Sequence, residues 1–201
     1  MKRVVVGSTC TLAFAIGSVV LLKGSSPIVA TNTWAAAGQL TTSRDGACSV
    51  LLNDGRILIT GGMVSGGTLA TSETFGPEGS SAPAAPLTNP RSNHTCSLLA
   101  DGTVLVSGGR DATGPLNSAE LYDPAEDTWS TVAGMTDARA GHTATTLQDG
   151  RVAVAGGDGV GGPIRSIEVF SPVTQSFKTV RQCSPRHERS MPPHYCLMVA
   201  C

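Results

Sequence analysis

The sequence predicts an all-β fold built from about three repeated units, each with four antiparallel strands. Its 201 residues include 24 glycines and 12 prolines, while 4% are aromatic and 14% are charged. This composition is typical of many short strands joined by tight turns. A pattern that starts at Arg44 also returns at Arg91 and at Arg139, which are 47 and 48 residues further along. Each copy contains an Asp-Gly pair between two apolar runs, which indicates a hairpin.

The three copies can be aligned residue by residue. Each begins with Arg, passes through Asp-Gly and ends in Gly-Gly: RDGACSVLLNDGRILITGG at 44–62, RSNHTCSLLADGTVLVSGG at 91–109 and RAGHTATTLQDGRVAVAGG at 139–157. A glutamate then recurs in SETFGP, AELYDP and IEVFSP, as Glu73, Glu120 and Glu168. A fixed period of just under ~50 residues indicates one supersecondary unit per copy.

The segments of a repeat are assigned in chain order. The apolar runs around Asp-Gly are predicted to be strands one and two, joined by a turn in which both residues take positive φ. Gly-Gly then allows a sharp turn or a close backbone approach. The segment with the glutamate is predicted to be strand three, ended by a Pro-containing turn. In the second and third repeats an aromatic residue, Trp129 or Phe177, marks strand four seven residues after Tyr122 or Phe170. Seven residues after the equivalent Phe75, the first repeat has Ala82.

The order R-x-x-H, Asp-Gly, Gly-Gly, E-x-Y-D-P and Trp resembles the kelch repeat, which forms β-propellers. The resemblance covers residues 34–180 and departs from the pattern at Ala47 (in the His position), at Gly76-Pro77 (for Asp-Pro) and at Ala82. It implies an incomplete kelch-type β-propeller of about three blades, since propellers have about four to eight. Trp34 precedes Arg44 by ten residues, and in such propellers an N-terminal strand of this kind completes the last blade.

The chain is expected to divide into six segments. Residues 1–30 have a basic start and an apolar stretch, which predicts a signal peptide cleaved after Ala30. An uncleaved signal anchor is the alternative, because the stretch is just long enough to cross a bilayer. Residues 31–43 would hold the outer strand of a preceding or closing blade, and the repeats occupy 44–90, 91–138 and 139–180. The protein is therefore expected to be exported, to the periplasm or outside the cell, with a signal-anchored form as the alternative.

Residues 181–201 do not continue the repeat and are expected to be an aberrant, disordered tail. The genetic code restricts what the tail would encode in a frame that begins at the third base of each codon. In that frame, Arg, two Leu and Gly are forced, or nearly forced, at the spacing of RSNHTCSLLADGTV. This indicates a slip of the reading frame shortly after Val180, which would truncate a longer, bacterial-type propeller.

The tail also contains residues able to bind Zn²⁺, namely Cys183, His187, His194, Cys196 and Cys201. Their spacings match neither C-x₂-C nor H-x₃₋₅-H, so no metal site and no cofactor are predicted. The body of the chain holds two further cysteines, Cys48 and Cys96, in adjacent rather than equivalent repeat positions. An exported chain would permit a disulfide between blades there.

Four polar residues, Arg91, His94, Arg139 and His142, recur with the repeat, as do the glutamates. They could act as ligands or acid–base groups, but a catalytic group is normally needed once per protein rather than once per repeat. We therefore expect Arg to pair with Glu, and His to be hydrogen-bonded, inside each blade. No catalytic residue is predicted.

Binding residues are instead expected in the loops that follow Gly-Gly, where Arg110, Asp111 and Asp158 lie. The predicted function is an exported scaffold, not an enzyme, that recognises protein or carbohydrate through propeller loops. A net charge of −1 gives no indication of nucleic-acid binding, and no membrane contact beyond the leader is expected. Self-association through open blade edges is expected.

Two alternatives stay open. The first is a fragment of a galactose-oxidase-like carbohydrate-active enzyme, whose copper site would need a Cys–Tyr cross-link, a second Tyr and two His. The body offers Tyr122 and two histidines that belong to the repeat pattern. The second alternative is a truncated product without function.

Overall fold

The computed structural model describes residues 38–180 in full, together with the backbone of residues 11–15 and 18–22. The predictions for leader cleavage, for Trp34 and for the tail lie outside the described residues. Two strands, β1 (Thr11–Ala15) and β2 (Ser18–Leu22), pair as an antiparallel hairpin. No helix long and apolar enough to cross a membrane occurs in the described part of the chain.

The first blade is a four-stranded antiparallel sheet in chain order. It consists of β3 (Cys48–Leu51), β4 (Ile57–Thr60), β7 (Ser72–Phe75) and β8 (Ser81–Ala84). The connection from β4 to β7 contains a small hairpin of two short strands, β5 (Met63–Val64) and β6 (Gly67–Thr68).

The other two blades repeat this order. Blade two consists of β9 (Thr95–Leu98), β10 (Val104–Ser107), β11 (Ala119–Asp123) and β12 (Thr128–Val132). Blade three consists of β13 (Thr143–Thr146), β14 (Val152–Ala155), β17 (Ile167–Ser171) and β18 (Ser176–Val180), with a small hairpin of β15 (Asp158–Gly159) and β16 (Gly162–Pro163). The first strands β3, β9 and β13 are neighbours. The predicted all-β fold class is confirmed.

The core lies between the blades rather than within one sheet. Val104 and Leu105 are consecutive in β10 and are 0% and 1% exposed, yet they point in opposite directions. Val104 joins a cluster with Leu58 and Tyr122, between blades one and two. Leu105 joins a cluster with Phe170 and other residues of blades two and three. Because successive side chains of a strand alternate between its faces, a central blade buries both faces, and its second strand β10 (VLVS) is buried at every position.

Two details of the predicted turns are wrong. Asp54, Asp101 and Asp149 do not take positive φ, whereas the glycines after them do. In the first repeat the Gly55 N–H donates to the Leu52 carbonyl, and the Leu52 N–H to the Arg56 carbonyl. This is a type I turn followed by a left-handed glycine, which strains one residue instead of two.

The second correction concerns strand four of blade one. Phe75 pairs with Ser81, as Tyr122 pairs with Trp129, so Ser81 and not Ala82 occupies the aromatic position. The turn that begins at Gly76 is one residue shorter than its counterparts, and a count of seven therefore overshoots. In front of this blade, residues 38–43 contain no strand.

The double glycines are required by close contacts with their own repeat and with the next one. Gly109 has φ 93°, and a Cβ there would lie 2.7 Å from the Ser92 carbonyl oxygen and 2.8 Å from the Cβ of His94. Gly108 has φ 60°, and its Cβ would lie 2.6 Å from the Arg139 carbonyl oxygen. Both the left-handed backbone and the close approach exclude a side chain.

We expect Gly109→Ala to lower the free energy of unfolding by about 2–4 kcal/mol, because the strained backbone and the collision act together. Gly161→Ala is the matched control, since it lies in a turn without positive φ and with open space around it. Urea unfolding of both variants measures the difference. Equal stability of the two would contradict this account of the Gly-Gly pair.

Candidate functional site

Each repeat buries an ion pair between its recurring arginine and glutamate. Arg91 Nη2 lies 2.7 Å from Glu120 Oε1, and both side chains are 0% exposed. Arg139 and Glu168 are paired at 2.8 Å, and Arg44 pairs with Glu73 in the first repeat. The predicted pairing of these residues is confirmed.

Both members of the pair also hold backbone groups. Arg91 Nη1 donates to the carbonyls of Gly108, at 2.8 Å, and Ser118, at 3.1 Å. The Glu120 carboxylate accepts the N–H groups of Thr88, at 2.7 Å, and Asn89, at 3.3 Å. Because those two N–H groups belong to the preceding repeat, the ion pair fastens one repeat to the next. The same contacts recur at Glu73 and Glu168.

The hydrogen bonds keep the Glu73 carboxylate charged in spite of burial. Burial alone would raise the pKa of Glu73, but hydrogen bonds from Ser81, Thr41 and Arg44 lower that pKa to about 2. Burial lowers the pKa of Arg91, and the opposite charge of Glu120 counteracts this effect. A buried pair is tolerated when its remaining donors and acceptors are satisfied, which the backbone contacts largely achieve.

The two histidines differ although they occupy equivalent repeat positions. His142 Nε2 lies 2.9 Å from Thr95 Oγ1 and 3.5 Å from Ser107 Oγ. Neither ring nitrogen of His94 makes a well-formed hydrogen bond among the described residues, and the Thr60 backbone offers it only a weak contact. The prediction of a hydrogen-bonded histidine thus holds for His142, though towards the neighbouring blade instead of its own, and is wrong for His94.

Both imidazoles are held in their neutral form. Burial lowers the pKa of His94 to about 3, with smaller contributions of the same sign from Arg91 and His142. Burial, with the Arg139 guanidinium beside the ring, lowers the pKa of His142 to about 4. A cationic imidazole would have to lose its hydration next to a buried guanidinium, which is unfavourable.

The segments before the first strands of the three blades lie side by side. The Asn93 N–H donates to the Gly46 carbonyl at 2.8 Å, and the Gly141 N–H donates to the Asn93 carbonyl at 2.9 Å. All three residues have positive φ, with values of 61°, 53° and 64° along the chain. This row places the loops of three repeats on one end of the blades. We call these loops, residues 63–68, 110–115 and 158–163, the loop face.

The three predicted binding residues lie on this loop face. The backbones of Arg110 and Asp158 pair with Ser92 and Ala140, next to the central row, and their side chains are exposed. Asp111 is instead held by its own loop, because its Oδ1 accepts from the N–H and the hydroxyl of Thr113, both at 2.7 Å. These hydrogen bonds lower the pKa of Asp111. Arg110 and Asp158 therefore present free charged ends, whereas Asp111 shapes its loop.

A disulfide joins Cys48 of β3 to Cys96 of β9, with the two Cα atoms 5.9 Å apart. It links the first strands of blades one and two. The sequence left this bridge open because the cysteines occupy non-equivalent repeat positions. That offset suits the contact, since the first residue of β3 meets the second residue of β9.

The residues of a copper oxidase centre are not brought together in the described chain. The Tyr122 hydroxyl donates to Asp127 Oδ1 at 2.7 Å, and burial raises the pKa of the tyrosine. Tyr122 pairs with Val104 near the Asp-Gly turn, whereas His94 precedes β9 at the opposite end of the blade.

Known proteins match the chain in two ways. The family model described as "Kelch motif" matches residues 90–136. A solved structure titled "Structure of YjhT" superimposes with a TM-score of 0.60 at 17% sequence identity, over 75% of this chain and 55% of that one. This chain thus spans about half the length of that structure. Among curated proteins none matches. The motif match and the shared fold confirm the resemblance to kelch repeats and the propeller-type architecture.

We expect Glu120→Gln to lower the free energy of unfolding by about 3–5 kcal/mol, because it leaves the Arg91 charge buried without its counterion. Asp54→Asn is the matched control, since Asp54 and Arg56 form an ion pair whose side chains are 45% and 39% exposed. That control should change stability by about 1 kcal/mol or less. Urea denaturation of both variants makes the comparison, and a similar loss in the two would show that burial does not decide the strength of the pair.

We also expect acid to destabilise the fold through the histidines. The pKa of His142 is lower in the folded than in the unfolded chain, so the unfolded chain binds the extra proton as the pH falls below about 6.5. Stability from this residue is complete above that pH and declines towards about pH 4, by about 3 kcal/mol. His142→Gln, which can keep a hydrogen bond to Thr95, should flatten the pH dependence of chemical denaturation. An unchanged slope in that variant would contradict the assignment.

Proposed function

We propose that this chain, whose second repeat matches the Kelch motif, is an exported binding scaffold that recognises protein or carbohydrate through its loop face. The observation that carries this proposal is the hydrogen-bonded row of Gly46, Asn93 and Gly141, which sets loops of three repeats next to one another. A binding surface can thus be continuous across blades. Loops on a rigid framework are where binding residues are usually found.

The contrast between framework and loops supports this proposal. Beneath the loop face, each blade has the same arginine–glutamate pair with the same backbone partners. The loops above differ in sequence: MVSGGT at 63–68, RDATGP at 110–115 and DGVGGP at 158–163. The repeated framework fixes the position of each loop, so the loop sequence can vary with little effect on the fold.

Between the two ligand classes, the composition of the loop face favours protein. The loops at 63–68, 110–115 and 158–163 contain no aromatic residue on which a sugar ring could stack. They offer instead Val160, which is 87% exposed, and Met63, which is 39% exposed, beside the charges of Arg110 and Asp158. Apolar centres with charges around them are typical of protein interfaces.

The disulfide between Cys48 and Cys96 supports export, since such bonds persist in oxidising compartments and are rare in the cytosol. Because the bond joins the first strands of blades one and two, it is expected to stiffen the framework that carries the loops. The proposed scaffold has no catalytic role.

The proposal is tested by selecting binders from a displayed random-peptide library on the immobilised chain, with a glycan array measured in parallel. We expect enriched peptides that lose binding by about tenfold or more when Arg110 and Asp158 are both replaced by alanine, as for the loss of central interface contacts. Arg56→Ala, at the opposite end of the blade, is the control and should bind normally.

Three results would contradict parts of the proposal. Peptides that bind the Arg110/Asp158 variant undiminished would exclude the loop face as the binding surface. Glycan binding that depends on the same two residues, without peptide binding, would assign the ligand to carbohydrate. Stoichiometric copper in the protein as purified would favour the oxidase-like alternative over a scaffold.

A further inference from the structure

A histidine without a well-formed hydrogen bond stands beside the interblade disulfide. The sulfurs of Cys48 and Cys96 and a ring nitrogen of His94 all lie within 4.8 Å of one another. The histidine is 7% exposed, and neither of its nitrogens makes a well-formed hydrogen bond within the described chain, since the Thr60 backbone gives only a weak contact. A buried polar group in this condition costs free energy, so its presence needs an explanation.

The equivalent position in the next repeat shows what is different here. At the junction of blades two and three, His142 has the Thr95 hydroxyl as its partner. Cys48 is the first residue of β3, as Thr95 is of β9, so a cysteine stands where His94 would find a hydroxyl. Cys96 adds a second sulfur, whereas Ala144 occupies its equivalent position in blade three. The first junction thus concentrates two sulfurs and one imidazole.

The His94 side chain is held in place by two glycines, Gly61 against its ring and Gly109 against its Cβ. A Cβ at Gly61 would lie 2.6 Å from Cε1 of His94, and a Cβ at Gly109 would lie 2.8 Å from its Cβ. Since the side chain is confined on both sides, little conformational entropy would be lost when a ring nitrogen binds a ligand. Rigid support of this kind is what a metal-binding histidine requires.

We propose that reduction of the Cys48–Cys96 disulfide converts this cluster into a zinc site, with the two cysteine sulfurs and His94 as ligands. A dithiol reductant supplies two electrons and two protons, which cleave the S–S bond to two thiols while the reductant becomes a cyclic disulfide. Zn²⁺ then displaces both thiol protons into solvent. A water molecule completes a four-coordinate site, as in other sites with three protein ligands.

The chemistry of the cluster selects zinc among the common divalent ions. Thiolate and imidazole are ligands that Zn²⁺ prefers, while Ca²⁺ and Mg²⁺ require oxygen. Two thiolates, a neutral imidazole and Zn²⁺ carry no net charge together, which suits a position beside the buried Arg91–Glu120 pair. The metal would also give both imidazole and sulfurs the partners that they lack after reduction.

The experiment uses the full chain with Cys10, Cys183, Cys196 and Cys201 replaced by serine, so that other thiols do not bind metal. Oxidised and reduced samples are incubated with Zn²⁺, desalted and analysed for metal, and a second set receives Co²⁺ for absorption spectroscopy. We expect about one zinc per reduced chain and none in the oxidised chain. Co²⁺ should give sulfur-to-metal charge-transfer bands, and zinc should raise the melting temperature of the reduced chain.

Variants assign the ligands. Cys48→Ser and Cys96→Ser should each abolish the charge-transfer spectrum or weaken it strongly, and His94→Asn should weaken zinc affinity by about 100-fold. His142→Asn is the matched control, because its position is equivalent but has no cysteines beside it, and it should bind zinc normally. Equal zinc uptake by the oxidised chain, undiminished affinity in His94→Asn, or a reduced chain that unfolds and does not refold with zinc would each overturn the proposal.

Discussion

The buried arginine–glutamate pair is the interaction on which the other features of this fold depend. In each repeat the guanidinium binds the carbonyl of the first glycine of Gly-Gly, while the carboxylate binds two N–H groups from the end of the preceding segment. One ion pair therefore fixes the second strand, the third strand and the approach to the next blade. The hydrophobic clusters between the blades depend on those backbone positions, because their side chains come from two different repeats.

The repeat made most of this framework predictable from sequence. Arg91 and Glu120 are 29 residues apart, but they recur in register three times, and opposite charges that recur together in every repeat indicate a partnership. The order of the strands was predictable because Asp-Gly marks the turn between strands one and two, and Gly-Gly follows strand two in every repeat. The length of one turn could not be predicted from the repeat. The shorter turn of blade one moved the aromatic position from Ala82 to Ser81, a difference that depends on hydrogen bonding at Gly76.

The cysteine–histidine cluster escaped sequence analysis for the opposite reason. Repeat logic compares equivalent positions, whereas Cys48 and Cys96 are offset by one residue and meet across two neighbouring strands. His94 was assigned the same role as His142 because both follow the recurring arginine. The sequence did contain one indication. Thr95 supplies the hydroxyl that binds His142, and the equivalent residue in the first repeat is Cys48, so His94 has no such hydroxyl. Residues that recur in every repeat thus indicate the common framework, whereas residues that differ between repeats indicate a site found in only one of them.

The joints between repeats have a consequence for how such chains arise. Gly62 donates its N–H to the Arg91 carbonyl and Gly109 donates to the Arg139 carbonyl, both at 2.8 Å, so the two joints between the described repeats are built alike. Unequal recombination can duplicate or delete a gene segment that encodes one repeat length. Wherever the crossover falls, the glycine of one repeat again meets the arginine of the next. The ancestry of these chains can therefore involve frequent changes of copy number without any new interface. Selection on the number of copies then acts through the geometry of ring closure, and the joint itself stays the same.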